Sequence, residues 1–217
     1  MTYILLFIAA AISYFLGKLT LTGAVTGWVV AALIYAGAGY MGISLLAVFF
    51  ILASLATKGR GSKRTSGQVL ANGGVAAILG LCGWIWPQHL ILFQLMIAGS
   101  LASATADTLS SELGTVYGKR FFNIITFKND ERGLDGVISL EGTLIGLAGA
   151  AIIAITYCLF NGWSIPLLYI ITAGFIGNII DSVLGATLER KNIINNNLVN
   201  FSNTATGAII CLLLFSL

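Results

Sequence analysis

HLILFQLMIAGSLASATADTLSSELGTVYGKR, residues 89–120, is the stretch that decides how this chain folds. From Leu90 to Ala106 it carries no charge over 17 residues, within the range of roughly 17–25 that crosses a bilayer. Asp107, Thr108, Ser110, Ser111 and Glu112 then crowd its far end, and Lys119 and Arg120 close it. A membrane span with its chemistry gathered at one end is the unit from which the rest can be read.

The whole chain has the composition this unit demands. Lys and Arg number 11 and Asp and Glu 8 in 217 residues, 9% charged against about 25% for an average globular chain, while 58% is hydrophobic. Such a chain cannot cover a soluble surface, which excludes a soluble enzyme, a disordered chain and a nucleic-acid binder. Its 26 glycines suit close helix–helix contact in lipid better than a β-barrel. Apolar runs at 2–17, 20–38, 41–57, 67–86, 89–117, 139–160, 165–189 and 198–216 predict an all-α, polytopic membrane bundle of about eight transmembrane helices. All of them belong to one domain, residues 1–217. The first and third runs are short for a full span, and Tyr3–Leu16, with no basic residue before it, does not read as a secretory leader.

Numbering the connections alternately places every basic residue on one side. Lys18 follows the first run, Lys58, Arg60, Lys63 and Arg64 the third, Lys119, Arg120, Lys128 and Arg132 the fifth, and Arg190 and Lys191 the seventh. The positive-inside rule makes that side the cytoplasmic face of a cell (inner) membrane and puts both termini outside. Trp84, Trp86, His89 and Trp163 fall on the opposite side as interfacial residues. The acids are the informative set: all eight lie at the cytoplasmic end too, which no topogenic rule requires. Asp107 and Asp181 lie a turn or two inside their helices, where an ionisable group is costly and usually functional.

The fifth and seventh runs both end in an acid–hydroxyl pair, Asp107-Thr108 and Asp181-Ser182, and each returns through Ser139-Leu-Glu141-Gly142-Thr143 or Ser202-Asn203-Thr204. The third and fourth runs repeat the layout with Thr57-Lys58 and with Gln68 and Asn72-Gly73-Gly74. This reads as three parallel hairpins whose cytoplasmic tips converge. Gly37-Ala-Gly39-Tyr-Met-Gly42 fits GxGxxG, but it joins two apolar helices far from every charge and reads as a tight glycine turn rather than a nucleotide loop. Cys82, Cys158 and Cys211 sit singly in apolar runs, with no metal or disulfide spacing.

On a helix Asp107 shares a face with Ser111, while Glu112 lies about 140° round from Asp107. Carboxylate and hydroxyl oxygens are what a hard divalent cation such as Mg²⁺ takes, although a structural polar cluster would look the same. In 128–146, Lys128, Asp130, Glu131, Arg132 and Asp135 alternate with Gly133 and Gly136, the composition of a loop that wraps phosphates. Ser139 could cap the following helix, with Asp135 and Glu141 bracketing its start; a solvated loop with an ordinary cap is the plainer alternative. Lys58-Gly-Arg60-Gly-Ser-Lys63-Arg64 serves equally as a phosphate clamp or a lipid-headgroup anchor. Asn72, Asn178 and Asn200 are amides near helix ends that need partners, and Asn195-Asn196-Asn197 reads as a turn. Carboxylates, many cations and glycine-rich loops, with no catalytic Cys or cytoplasmic His, suit phosphoryl or nucleotidyl transfer.

At these residues the sequence resembles the integral-membrane phytyl-phosphate kinases and their transmembrane protein 19-like relatives in bacteria, archaea and plants. The likeness rests on Ala104-Thr-Ala-Asp107-Thr108-x-x-Ser111-Glu112-x-Gly114, on Asp135-Gly136-x-x-Ser139-x-x-Gly142-Thr143, on Gln68-Val-Leu-Ala-Asn72-Gly-Gly74 and on Asp181-Ser182-x-Leu-Gly185-Ala-Thr-Leu. The second motif departs slightly, with Val137 where Gly or Ala is usual after Asp-Gly. A more distant likeness, through Asp107-Thr108, Gly114, Gly118-Lys119 and Ser139-Leu-Glu141-Gly142, is to CTP-using dolichol kinases and phosphatidate cytidylyltransferases.

The resemblance implies transfer of the γ-phosphoryl group of a nucleoside triphosphate, CTP by the distant likeness, to an isoprenoid monophosphate. It implies Mg²⁺ at Asp107, Glu112, Asp135 and Asp181, with Glu141 a weaker ligand. It implies phosphate or nucleotide contacts at Lys58, Lys63, Arg64, Asn72, Lys119, Lys128, Arg132, Gly136 and Ser139, with Arg190 a further candidate. The isoprenoid tail would lie between helices, open to the bilayer. A monophosphate acceptor has its second pKa near 6, so it is already a nucleophile at neutral pH and needs no base. Three rivals share much of this reading: a polyprenol kinase, which would need a carboxylate base, a lipid-phosphate cytidylyltransferase, and a transporter. Transport sites sit near the midplane between inverted repeats, whereas here the acids crowd one end of apparently parallel ones.

Overall fold

The computed structural model describes residues 1–57 and 63–217. Lys58 and Arg60 therefore lie outside the described residues. Seven α-helices occur among them: α1 (Thr2–Phe15), α2 (Leu21–Ala56), α3 (Ser66–Ile85), α4 (Leu90–Tyr117), α5 (Leu140–Asn161), α6 (Pro166–Leu184) and α7 (Asn196–Phe215). Six elements built on these helices are long and apolar enough to cross a membrane. The exception is α1, whose 14 residues rise about 21 Å, short of a hydrocarbon core of about 30 Å.

Seven rather than eight helices are continuous because no loop separates the runs at 20–38 and 41–57. Both lie in α2, which turns back on itself at Gly39 with φ 62° and ψ −148°. That conformation is open to glycine and costly for any residue with a Cβ. The two arms then pack together so closely that a Cβ on Gly42 would fall 2.7 Å from side-chain carbons of Ile34 and Ala38. The GxGxxG sequence is thus a turn between helical arms.

Helices that begin at the charged end carry their caps in the sequence. Thr20, Ser139 and Asn195 accept backbone N–H groups of Gly23, Gly142 and Leu198 at 3.0, 3.1 and 3.0 Å. Thr65 and Gln68 form a reciprocal capping box at the start of α3. At the other end α4 follows a 3-10 turn, Pro87–His89, and α6 opens with Pro166.

α4 is the axis of the bundle, with Leu95, Ala98, Leu101, Ala102, Ala104 and Ala106 all fully buried. Small residues let its neighbours approach: a Cβ on Gly99 would meet Cys211 Sγ and the Gly207 carbonyl of α7 at 2.5 Å each. We expect Gly99→Leu to force α4 and α7 apart at a cost of about 1–3 kcal/mol or more, read as a lowered Tm of the detergent-solubilised protein. The connection from α4 to α5 is held by a two-residue antiparallel pairing, β1 (Phe122–Asn123) with β2 (Val137–Ile138).

Candidate active site

The tips of three hairpins, α2/α3, α4/α5 and α6/α7, meet around a polar cavity of about 450 Å³. Asp107, Ser110, Ser111 and Gly114 share one face of α4, at spacings of three, four and seven, and all line it. Asn178, Asp181, Ser182 and Gly185 repeat that spacing from α6, and Gln68 and Asn72 face it from α3. Both stripes end in a glycine at a close contact: Gly114 against Ser139 and Gly142 at the start of α5, and Gly185, just past α6, against Asp135 and Gly136 of the connection.

At the centre, the half-buried carboxylates of Asp107 and Asp181 lie within hydrogen-bonding reach of each other. Asn203 of α7 donates from Nδ2 to Asp181 Oδ1 at 3.3 Å, and Ser103 of α4 donates to the Asn203 side chain. Three helices are therefore tied through one buried amide. Two carboxylates this close repel when both are ionised, so the pair calls for a shared proton or a cation. Asp135 stands near enough to act electrostatically on Asp181 and on Glu189. Among the described residues no three acidic, His or Cys side chains come close enough to enclose a metal by themselves.

Arg64 is the basic side chain that lines the cavity among the described residues. Burial pulls its guanidinium below its ordinary value, and the Glu112 carboxylate works in the opposite direction. The start of α5 also faces in: Ser139, Gly142 and Thr143 line the cavity at the positive end of that helix dipole.

The Asp135-Gly136 motif owes its position to the Asp181-to-Ala186 motif. Gly136 has φ 71°, and a Cβ there would lie 2.4 Å from the Ala186 backbone N and 2.5 Å from the Ser182 carbonyl. Beyond Leu184 the helix widens into a π-turn, Gly185–Glu189, which supplies that seat. Arg190 then clasps the connection from α4 to α5, donating from Nε to the Asp135 carbonyl at 2.5 Å and pairing with Asp130 at 2.8 Å. The Glu131 N–H and then Arg190 hold the Asp130 carboxyl below its ordinary value of 3.8. A lowered folded pKa contributes stability that is present above 3.8 and lost as pH falls through the lower folded value. The protection factors of residues 122–138, exchange corrected for its intrinsic pH dependence, should therefore stay flat from neutral pH down to that ordinary value and fall only below it.

Of the residues singled out in the sequence, the cavity gathers Asp107, Glu112, Asp135, Asp181, Arg64, Asn72, Gly136 and Ser139. Glu141, Lys63, Lys119, Lys128 and Arg132 do not line it. Glu141 accepts the Lys119 backbone N–H at 3.3 Å, and the Lys63 ammonium lies 5.8 Å from the Tyr14 ring centroid. Arg190 is spent on the connection instead. Asn196, read as part of a turn, is the first residue of α7; it lines the cavity and hydrogen-bonds Glu189. Asn178 accepts from Ser110 Oγ at 2.8 Å, joining the α4 and α6 stripes. Its spacing from Asp181 was the available sign of this role.

The chain matches the family described as integral membrane protein DUF92 over residues 4–208. It is 39% identical over 192 residues to an uncharacterised membrane protein of Methanocaldococcus jannaschii, covering 82% of this chain and 77% of that one. It is 30% identical over 216 residues to the chloroplastic protein VTE6 of Arabidopsis thaliana, covering 90% of this chain but only 65% of VTE6. Protein PGR of the same plant is 32% identical over 216 residues, covering 82% of this chain and 74% of PGR. No solved structure matches. Motifs in order along the chain, a helical bundle and these relatives agree: the chain belongs to the DUF92 family of integral membrane proteins, to which its resemblance to the phytyl-phosphate kinases pointed.

Proposed function

We propose that this protein is a phosphotransferase that moves the γ-phosphoryl group of a nucleoside triphosphate, CTP by the distant likeness, onto an isoprenoid monophosphate. The observation that carries the reading is the Asp107–Asp181 pair set in a cavity that also presents Asp135, Arg64 and the N-terminus of α5. Paired carboxylates beside anion-binding groups suit a cation-bridged polyphosphate.

Mg²⁺ fits these donors. It binds through one or two carboxylates and completes its shell with phosphate oxygens and water, so no closed protein cage is needed. Asp107 and Asp181 would hold it, with Asp135 and Glu112 reaching it through water, and it would neutralise charge on the transferring phosphoryl group. The chain's own groups orient the partners. Arg64 and the α5 N-terminus offset the repulsion between two phosphate-bearing substrates. An acceptor phosphate oxygen forms the new bond to the γ-phosphorus, the bridge to the β-phosphate breaks, and the nucleoside diphosphate leaves with that bridging oxygen. No proton has to move when the acceptor enters as a dianion.

Purified protein incubated with γ- or α-labelled CTP and farnesyl or phytyl monophosphate tests this. Label should reach the lipid from the γ position only. Label from the α position with release of pyrophosphate would instead make it a cytidylyltransferase. Preference for farnesol or phytol over their monophosphates would make it an alcohol kinase, with one carboxylate of the pair as base. Sided proteolysis of vesicles should find the charged end in the cytoplasm, where the nucleotide is.

A further inference from the structure

A second cavity, about 210 Å³ and almost wholly apolar, lies between α1, the two arms of α2 and α3. Ala9, Gly27, Ala31, Ile43, Leu46 and Phe50 supply its walls. At its charged end the lining changes to Arg64, Gln68 and Asn72, and all three also line the polar cavity. The two cavities therefore meet at one cation and two amides. Asn72 is only 8% exposed, its Nδ2 donates to the Gln68 carbonyl at 3.0 Å, and its Oδ1 has no partner among the described residues. That acceptor calls for an O–H or N–H donor, which a phosphate dianion lacks, so the anion-facing groups at the junction are Arg64 and Gln68.

The outer wall of this cavity is weakly fastened. No residue of α1 is buried; it is held to α2 by two edge-on ring pairs, Tyr3 with Tyr35 at 5.3 Å and Phe7 with Trp28 at 5.9 Å, and by two hydrogen bonds of 3.2 Å, from Trp28 Nε1 to the Tyr3 carbonyl and between the Thr2 and Tyr40 hydroxyls. A short apolar helix that buries none of its residues can shift aside in lipid at small cost.

We propose that this cavity is the binding site for the hydrocarbon tail of the lipid phosphate, entered from the bilayer past α1. The assignment rests on the reading of the polar cavity as a lipid-phosphate site. Arg64 supplies the charge complementary to the phosphate, and the three residues lining both cavities mark where the lipid would pass from one to the other. The phosphate stands at Arg64 and Gln68, reaching toward Asp107 and Asp181, and the first part of the tail runs up the apolar walls. Small residues at positions 9, 27 and 31 leave room for the methyl branches of a single isoprenoid chain.

Photolabelling tests the site without requiring turnover. The full-length protein in nanodiscs is exposed to farnesyl monophosphate carrying a diazirine on its tail, and labelled residues are mapped by mass spectrometry. Label is expected on α1, both arms of α2 and α3, competed by phytyl monophosphate and not by phosphatidic acid. Gly27→Leu fills the cavity where a new Cβ meets only Leu19 Cδ1 at 3.8 Å. It should cut the label about tenfold or more while leaving binding of the short dimethylallyl monophosphate unchanged. Label on lipid-facing residues of α5 or α6, label undiminished in Gly27→Leu, equal competition by phosphatidic acid, or no label at all would overturn the site. Label in this cavity on a protein that transfers no phosphate would overturn the kinase reading and leave the tail site standing.

Discussion

Asp107→Asn and Asp181→Asn should each lower turnover by at least about 10³-fold while leaving the protein as stable as before, or more so. That loss corresponds to about 4 kcal/mol of transition-state stabilisation. The two halves of the expectation share one cause. The carboxylates lie within hydrogen-bonding reach of each other in a half-buried setting, an arrangement that two charges without a cation oppose. An amide at either position removes that repulsion and also removes a proposed metal ligand.

A second readout separates a metal role from a structural one. Magnesium should raise the Tm of the wild-type protein through ligand linkage, by an amount growing with the logarithm of its concentration. The rise should be absent in both variants. A magnesium shift of wild-type size in Asp107→Asn would remove Asp107 from the metal site even if turnover were lost. Asn203→Ala is a milder version, since Asn203 orients Asp181 without entering the proposed metal shell.

The spans, the single charged end and the Ser139 cap were legible because each depends on local sequence: hydropathy over about 20 residues, the sign of a loop, a hydroxyl before a helix. The hairpin turn at Gly39 was legible for the same reason. The stripes Asp107-Ser110-Ser111-Gly114 and Asn178-Asp181-Ser182-Gly185 are helical periodicity and could be read in full. Periodicity also explains why Glu141 falls outside. Ser139, Gly142 and Thr143, three and four apart, face the cavity, and Glu141 lies off that face.

Cations were the opaque class. Lys63, Lys119, Lys128, Arg132 and Arg190 sit in connections, where no period fixes a direction and a long side chain reaches several partners. Lys63 goes to Tyr14 and Arg190 to Asp130 and the Asp135 carbonyl because the parallel bridge at Leu19 and Arg64 and the π-turn after α6 aim them there. Neither of those features has a signature of its own in the sequence. The approach of Asp107 to Asp181 was likewise beyond a one-dimensional reading, since it is set by how α4 and α6 pack.

That packing also makes Gly136 the position outside the carboxylate pair at which substitution should cost most. Gly136→Ala should lower turnover by about 10²-fold or more with the membrane bundle intact. Gly133→Ala is its control. Both glycines have positive φ, 71° and 86°, so both variants carry a similar backbone strain of roughly 1–2 kcal/mol. A Cβ at Gly133, which also lines the cavity, would meet nothing within 4 Å, whereas a Cβ at Gly136 would fall 2.4 Å from the Ala186 backbone. A backbone contact cannot yield as a side-chain tip can, so the connection must lift from the end of α6. Asp135 would then move away from Asp181, and its carbonyl would lose the Arg190 Nε donor. The expected pattern is faster hydrogen exchange across 122–138 with lost turnover in Gly136→Ala, and near-normal turnover in Gly133→Ala. Equal turnover in the two variants would mean that Asp135 works without being held against α6, and would take it out of the site.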